Sequence, residues 1–99
     1  MKAIHKYVLP MLEESFVDMP SVNTIISAEM QEGFICVWAI VDTDSPIINK
    51  KFNLYKTGQE IKANVKVLKY IGIAKVNVGM ELGMHVFEDT SYNYENDNK

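Results

Sequence analysis

Few side chains in this sequence are equipped for chemistry. Cys36 is the single thiol, which leaves no material for a disulfide framework or for a zinc site built on several thiolates. It sits inside the apolar run 34–41, where a thiol reads as an inert core side chain rather than a nucleophile. The histidines are His5 and His85, each in a stretch that reads as a strand and neither in a metal-ligand motif. They would flank one pocket if the first and last strands paired. Otherwise they are exposed or hydrogen-bonded structural side chains. Asp42 and Asp44 offer carboxylates at i, i+2, far short of the six or so oxygens calcium needs, so they read as a solvated loop. No glycine-flanked serine forms a nucleophile elbow.

Two features point to ligand binding instead. Tyr55-Lys56-Thr57-Gly58 places a cation and a hydroxyl beside a glycine turn, which suits contact with a phosphate through backbone N–H groups. It lacks the extra glycines and following helix of a nucleotide-binding P-loop, so a plain turn is the competing reading. Trp38 shares a face with Cys36 and Ile40, either as a core ring or as a ring that stacks on a ligand at the sheet rim. Tyr55 and Tyr70 are further aromatics of the same kind. With no nucleophile, base and orienting group in view, the chain reads as non-enzymatic, with neither cofactor nor metal.

Charge is distributed unevenly. Residues 1–42 carry two lysines against six carboxylates, residues 43–78 seven lysines against two, and residues 79–99 one lysine against five. The middle can therefore face an anion, unless its lysines pair with the acidic strands. All ten cations are lysine. Lysine lacks the planar fork that reads phosphates and guanine edges bidentately, so sequence-specific nucleic-acid recognition is not expected. A net charge of -3 also disfavours electrostatic duplex binding.

These residues must be held by strands. At 99 residues and 47% apolar content, the chain is one domain able to bury a core without staples. No apolar run approaches the ~20 residues of a spanning helix, and the polar start is no signal peptide. A soluble cytoplasmic protein is expected. Strands are expected at 4–9, 15–20, 24–31, 34–41, 50–56, 65–76 with a bend at Gly72, and 80–88. Alternation places Ile26, Ala28 and Met30 on one face, and Phe52 and Leu54 inward. The run 34–41 reads as a central strand covered on both faces. The fold class is all-β, a small antiparallel sandwich or open barrel of six or seven strands with little helix. Residues 1–88 form the single domain. Residues 89–99, acidic and asparagine-rich, read as a disordered tail. The apolar second face of 34–41 and unpaired sheet edges favour a homo-oligomer.

The segments Lys2-Ala3-Ile4-His5-Lys6-Tyr7-Val8-Leu9, Met19-Pro20, Gln31-Glu32-Gly33 and Trp38-Ala39-Ile40-Val41-Asp42 resemble a family of short uncharacterised bacteriophage and prophage proteins. So do Tyr55-Lys56-Thr57-Gly58-Gln59-Glu60-Ile61, Tyr70-Ile71-Gly72 and His85-Val86-Phe87-Glu88. The resemblance spans about residues 2–88. It departs at Ile73, where the family often has threonine, and at Met84, where it often has an aromatic. It implies a phage accessory protein acting in the cytoplasm of an infected bacterium against host defences. On this reading the chain sequesters a small anionic, nucleotide-like signal. Lys51 and Lys56 neutralise phosphate, Thr57 and Gly58 donate hydrogen bonds, Trp38, Tyr55 or Tyr70 stacks, and His5 and His85 flank the pocket. The alternatives are an inhibitor that docks on a host defence protein and a minor structural phage protein.

Overall fold

The structure, a computed structural model, describes residues 1–92. It contains β1 (Lys2–Leu9), β2 (Glu14–Pro20), β3 (Asn23–Gln31), β4 (Phe34–Asp42), β5 (Ile47–Lys56), β6 (Leu68–Asn77) and β7 (Glu81–Asp89), with one 3-10 turn at Val65–Val67. The strands form two antiparallel sheets, in the orders β1-β4-β3 and β2-β5-β7-β6, which do not close into a barrel. Among the described residues there is no α-helix, and so none that could cross a membrane.

Side-chain alternation builds the core. Leu9, Ile25, Ala28, Ile35, Val37, Ala39 and Val41 of the three-stranded sheet face Met19, Phe52, Leu54, Ala74, Val76 and Val86 of the other. Glu32 and Gly33 both have positive φ, which makes the β3–β4 connection a two-residue hairpin whose twist matches its strands.

Three expectations change. β4 is central, but only its inner face meets a second sheet; Phe34 and Ile40 point outward and are exposed. In β3, a register shift between Ile25 and Ser27 inserts one residue. Ile25 and Ala28 therefore turn inward, and Ile26 is left 45% exposed. The stretch read as one strand from residue 65 opens as the 3-10 turn and becomes β6 only at Leu68. A second register shift, between Tyr70 and Gly72, lets the edge of β6 close on β3: a Cβ at Gly72 would lie 3.2 Å from the Ala28 carbonyl oxygen.

The connection from β5 to β6 shapes the functional face. Both strands are antiparallel to β7 between them, and are therefore parallel to each other. β5 ends beside Met84 and β6 begins beside Asp89, so residues 57–67 must return along the sheet. The other sheet occupies the inner side, which leaves the outer face for this crossover. Two outward positions of β5 are buried: Asn53 at 1% exposure and Tyr55 at 3%, the Tyr55 ring against Phe87.

Composition suggests that order ends at 88, yet the chain stays packed through Tyr92. The Tyr92 hydroxyl donates to Asn49 Oδ1 at 3.0 Å, and its ring centroid lies 5.2 Å from that of Phe16. Residues 93–99 of the expected tail lie outside the described residues. Burial pushes the Asp89 carboxyl up. The Ser91 hydroxyl and amide and the Lys51 ammonium outweigh it and hold the carboxyl below its ordinary value. A depressed carboxylate pKa stabilises the fold above the unfolded value, near 4, and that stability disappears as pH falls through the folded value. Asp89→Asn should therefore melt below the parent at pH 7, and the difference should shrink as pH falls below the unfolded carboxylate value and through the lower folded one. A melting difference independent of pH would show that Asp89 acts through something other than its charge.

Candidate functional site

The site forms where β5 leaves the sheet. Residues 56–59 make a tight turn: the Gln59 amide donates to the Lys56 carbonyl at 3.0 Å, and Gly58 has φ +89°. The Gln59 side chain locks it, accepting from the Lys56 amide at 3.0 Å and donating to Glu13 Oε1 at 2.7 Å. The Thr57 amide donates to the Gly83 carbonyl at 3.2 Å, which continues the ladder onto β7. Gly83 makes the approach possible. A Cβ there would stand 3.1 Å from Thr57 Oγ1 and 2.9 Å from Ile73 Cδ1.

Thr57 Oγ1 thereby reaches His85 Nε2 at 2.8 Å, while the Tyr70 hydroxyl lies 3.1 Å from His85 Nδ1. In a neutral imidazole one ring nitrogen donates and the other accepts. One hydroxyl therefore gives its proton to the ring and keeps lone pairs free, and the other accepts from the ring and keeps its O–H to donate. Both hydroxyls retain capacity for a ligand. Tyr70 is 51% exposed. Its ring is fixed by an edge contact with Phe87 at 5.2 Å and a tilted one with His85 at 5.8 Å, and Phe87 in turn makes an edge contact with Tyr55 at 5.9 Å. Lys75 pairs with Gly83 in the β6–β7 register and so lies on the same face, one position along from the Ile73–His85 pair. Among the described residues neither Lys56 nor Lys75 makes an ion pair, leaving both charges available to an anion. An open groove of about 720 Å³ runs between residues 56–59 and residues 81–83 and adjoins the His85 cluster at Thr57 and Gly83; among the described residues Glu81 is its one acid. Among the described residues no three His, Cys, Asp or Glu side chains converge on a metal-sized site.

A family model described as a domain of unknown function, DUF7352, matches residues 1–97. The chain belongs to the DUF7352 family. No curated protein and no solved structure matches it.

This DUF7352 fold brings Thr57, Tyr70 and His85 together with Gly58 in the adjoining turn; Lys56, opposite Met84 in register, lines the groove from the other face of β5, and the remaining expected site residues are separated from the cluster. Tyr55 pairs with His85 in register but is buried, its hydroxyl accepting from Asn53 Nδ2 at 3.3 Å, so it presents no ring face to a ligand. Lys51 lies toward the opposite end of the sheet. Its ammonium is shared between Glu14 at 3.6 Å and Asp89 at 3.4 Å and stands 6.0 Å from the Phe16 ring centroid. Lys50 is bound to Glu88 at 2.7 Å. The lysine excess of the middle segment is thus partly neutralised by acids of β2 and β7. Trp38 is on the outer face of the other sheet. His5 is on β1, which pairs with β4 and not with β7, so the two histidines do not share a pocket.

Sequence reasoning passed over Gln59, Gly83 and Lys75. A glycine inside a strand is a readable sign of close approach, and Gly83 carried that signal. Gln59 and Lys75 carry none, because their roles follow from turn closure and from cross-strand register.

Proposed function

We propose that this DUF7352 chain is a non-enzymatic binding protein that captures a small anionic, nucleotide-like ligand at the groove beside His85. The carrying observation is the Thr57–His85–Tyr70 chain, with Lys75 on the same face and Lys56 lining the adjoining groove, neither of them in an ion pair among the described residues. Phosphate oxygens fit the Thr57 hydroxyl, the two lysine ammoniums and the Gly58 N–H, the one amide of residues 56–59 not engaged within the turn or the ladder. A planar base fits the exposed Tyr70 ring, where stacking contributes about 1–3 kcal/mol. The groove is wide enough for one nucleotide-sized molecule. The phage resemblance of the sequence suggests the setting, in which the captured molecule is a nucleotide-derived signal of a bacterial defence system and the protein acts in the infected cell's cytoplasm.

Calorimetry against nucleoside mono- and diphosphates, cyclic dinucleotides and ADP-ribose tests this. At least one should bind with Kd below about 100 μM. His85→Ala and Thr57→Val should each weaken that ligand about tenfold or more, in line with loss of a hydrogen bond to a charged group. Gly83→Ala should do the same without loss of fold, since its Cβ displaces the Thr57 hydroxyl and meets otherwise only the flexible end of Ile73. If the whole panel fails to bind at millimolar concentration, the capture role is lost.

A further inference from the structure

Among the described residues, the outer face of the β1-β4-β3 sheet has no second layer. Residues on it are fixed by register: Lys2, Ile4, Lys6 and Val8 from β1, Phe34, Cys36, Trp38 and Ile40 from β4, and Thr24, Ser27, Glu29 and Gln31 from β3. The β3 register shift adds Ile26 to the exposed apolar set. The face therefore has an apolar centre on β4, flanked by Ile4 and Ile26. Its lysines stand on one edge strand and its glutamate on the other. Lys6 leans across β4 to donate to Gln31 Oε1 at 2.7 Å, keeping two N–H donors for another acceptor.

We infer that this face is the interface of a two-fold homodimer, with the symmetry axis running along β4. The charge layout selects that axis. Rotation about β4 lays the partner's β1 over this chain's β3, which brings Lys6 within reach of Glu29 in the partner, and the reverse. It also stacks Trp38 and Ile40 on their own symmetry mates and sets Ile4 against Ile26. The other face-to-face axis, across the strands, would lay β1 on β1 and set lysine against lysine. Such self-complementarity is what an isologous interface requires. The face is three strands wide and about nine residues long, roughly 14 by 30 Å at standard strand spacing and rise. Together the two copies bury on the order of 1,000 Å², the low end of specific interfaces, so the dimer should be reversible with Kd in the micromolar range. The interface lies on the opposite sheet from the His85 groove, so its existence does not depend on what that groove binds.

Sedimentation equilibrium of the full chain from about 5 to 300 μM is the direct test. Mass should rise from 11.3 kDa toward twice that value. Ile40→Lys should hold it at the monomer, with an unchanged far-UV spectrum as the check on folding. Lys6→Glu and Glu29→Lys should each weaken association at least fivefold. Combining them in one chain should restore it, because the pair is inverted and not removed. A parent chain that stays monomeric at 300 μM overturns the proposal. So does a dimer that Ile40→Lys leaves intact, or a double variant no better than either single one.

Discussion

Phe52→Ala should remove about 4 kcal/mol of stability and lower the melting temperature by roughly 20 °C. Phe52 has no solvent exposure and is the largest of the fully buried side chains. It sits on β5, within the four-stranded sheet, and projects into the space between the sheets with Leu54 and Val86. Truncation removes a whole ring from that space. Partners held in two hydrogen-bonded sheets relax little, so a cavity term adds to the lost transfer energy. A domain of this size has about 5–15 kcal/mol in hand, so the variant should be marginal at 37 °C. Urea denaturation would measure the loss. A cost below about 2 kcal/mol would mean that the sheets collapse onto the vacancy, or that the ring is less enclosed than the structure places it.

The second large effect is expected at the Lys50–Glu88 pair. The ion pair is 2.7 Å long, and both side chains are only 15% exposed. Glu88 is opposite Phe52 in register, so the pair sits at one end of the core rather than on an open surface. Glu88→Leu would leave the Lys50 ammonium without its counter-charge in a largely desolvated place. The expected cost is about 2–3 kcal/mol, somewhat under that of breaking a fully buried pair because some solvent reaches both groups. Replacing both residues, as in Lys50→Met with Glu88→Leu, should recover most of it, since two apolar side chains fill the same volume with no charge to desolvate. The comparison of single and double variants by denaturation isolates the pairing energy. If the double variant is as unstable as Glu88→Leu alone, packing and not charge is what holds this end.

Much of the architecture was open to reading from alternation. Phe52 and Leu54 point inward as their pattern requires, and in β7 Leu82, Met84 and Val86 separate from Gly83, His85 and Phe87 onto opposite faces. In β3 reading failed because of a single inserted residue. The bulge in β3 reverses the faces of Ile25 and Ile26, because the strand period is two and one extra residue inverts everything before it. In β5, alternation fixes the face of a residue and not its environment. Asn53 and Tyr55 alternate with the core residues Phe52 and Leu54 and are buried nonetheless.

The sequence by itself determined that the chain is all-β, where its strands run, and which residue types were available for binding an anion. Those follow from local rules: alternation, turn residues, and the absence of any helical period. The tertiary structure decided which of those residues meet. Strand order placed β7 between β5 and β6, so that Thr57, His85 and Tyr70 line up across three strands while His5 and Trp38 fall on the other sheet. Charge pairing was likewise a matter of register, which tied Lys50 and Lys51 to Glu88, Glu14 and Asp89 and left Lys56 and Lys75 outside every ion pair among the described residues. Sequence separation is blind to both, because a sheet brings together residues by hydrogen-bonded register between distant segments, and register is fixed only when every strand's apolar face is buried at once.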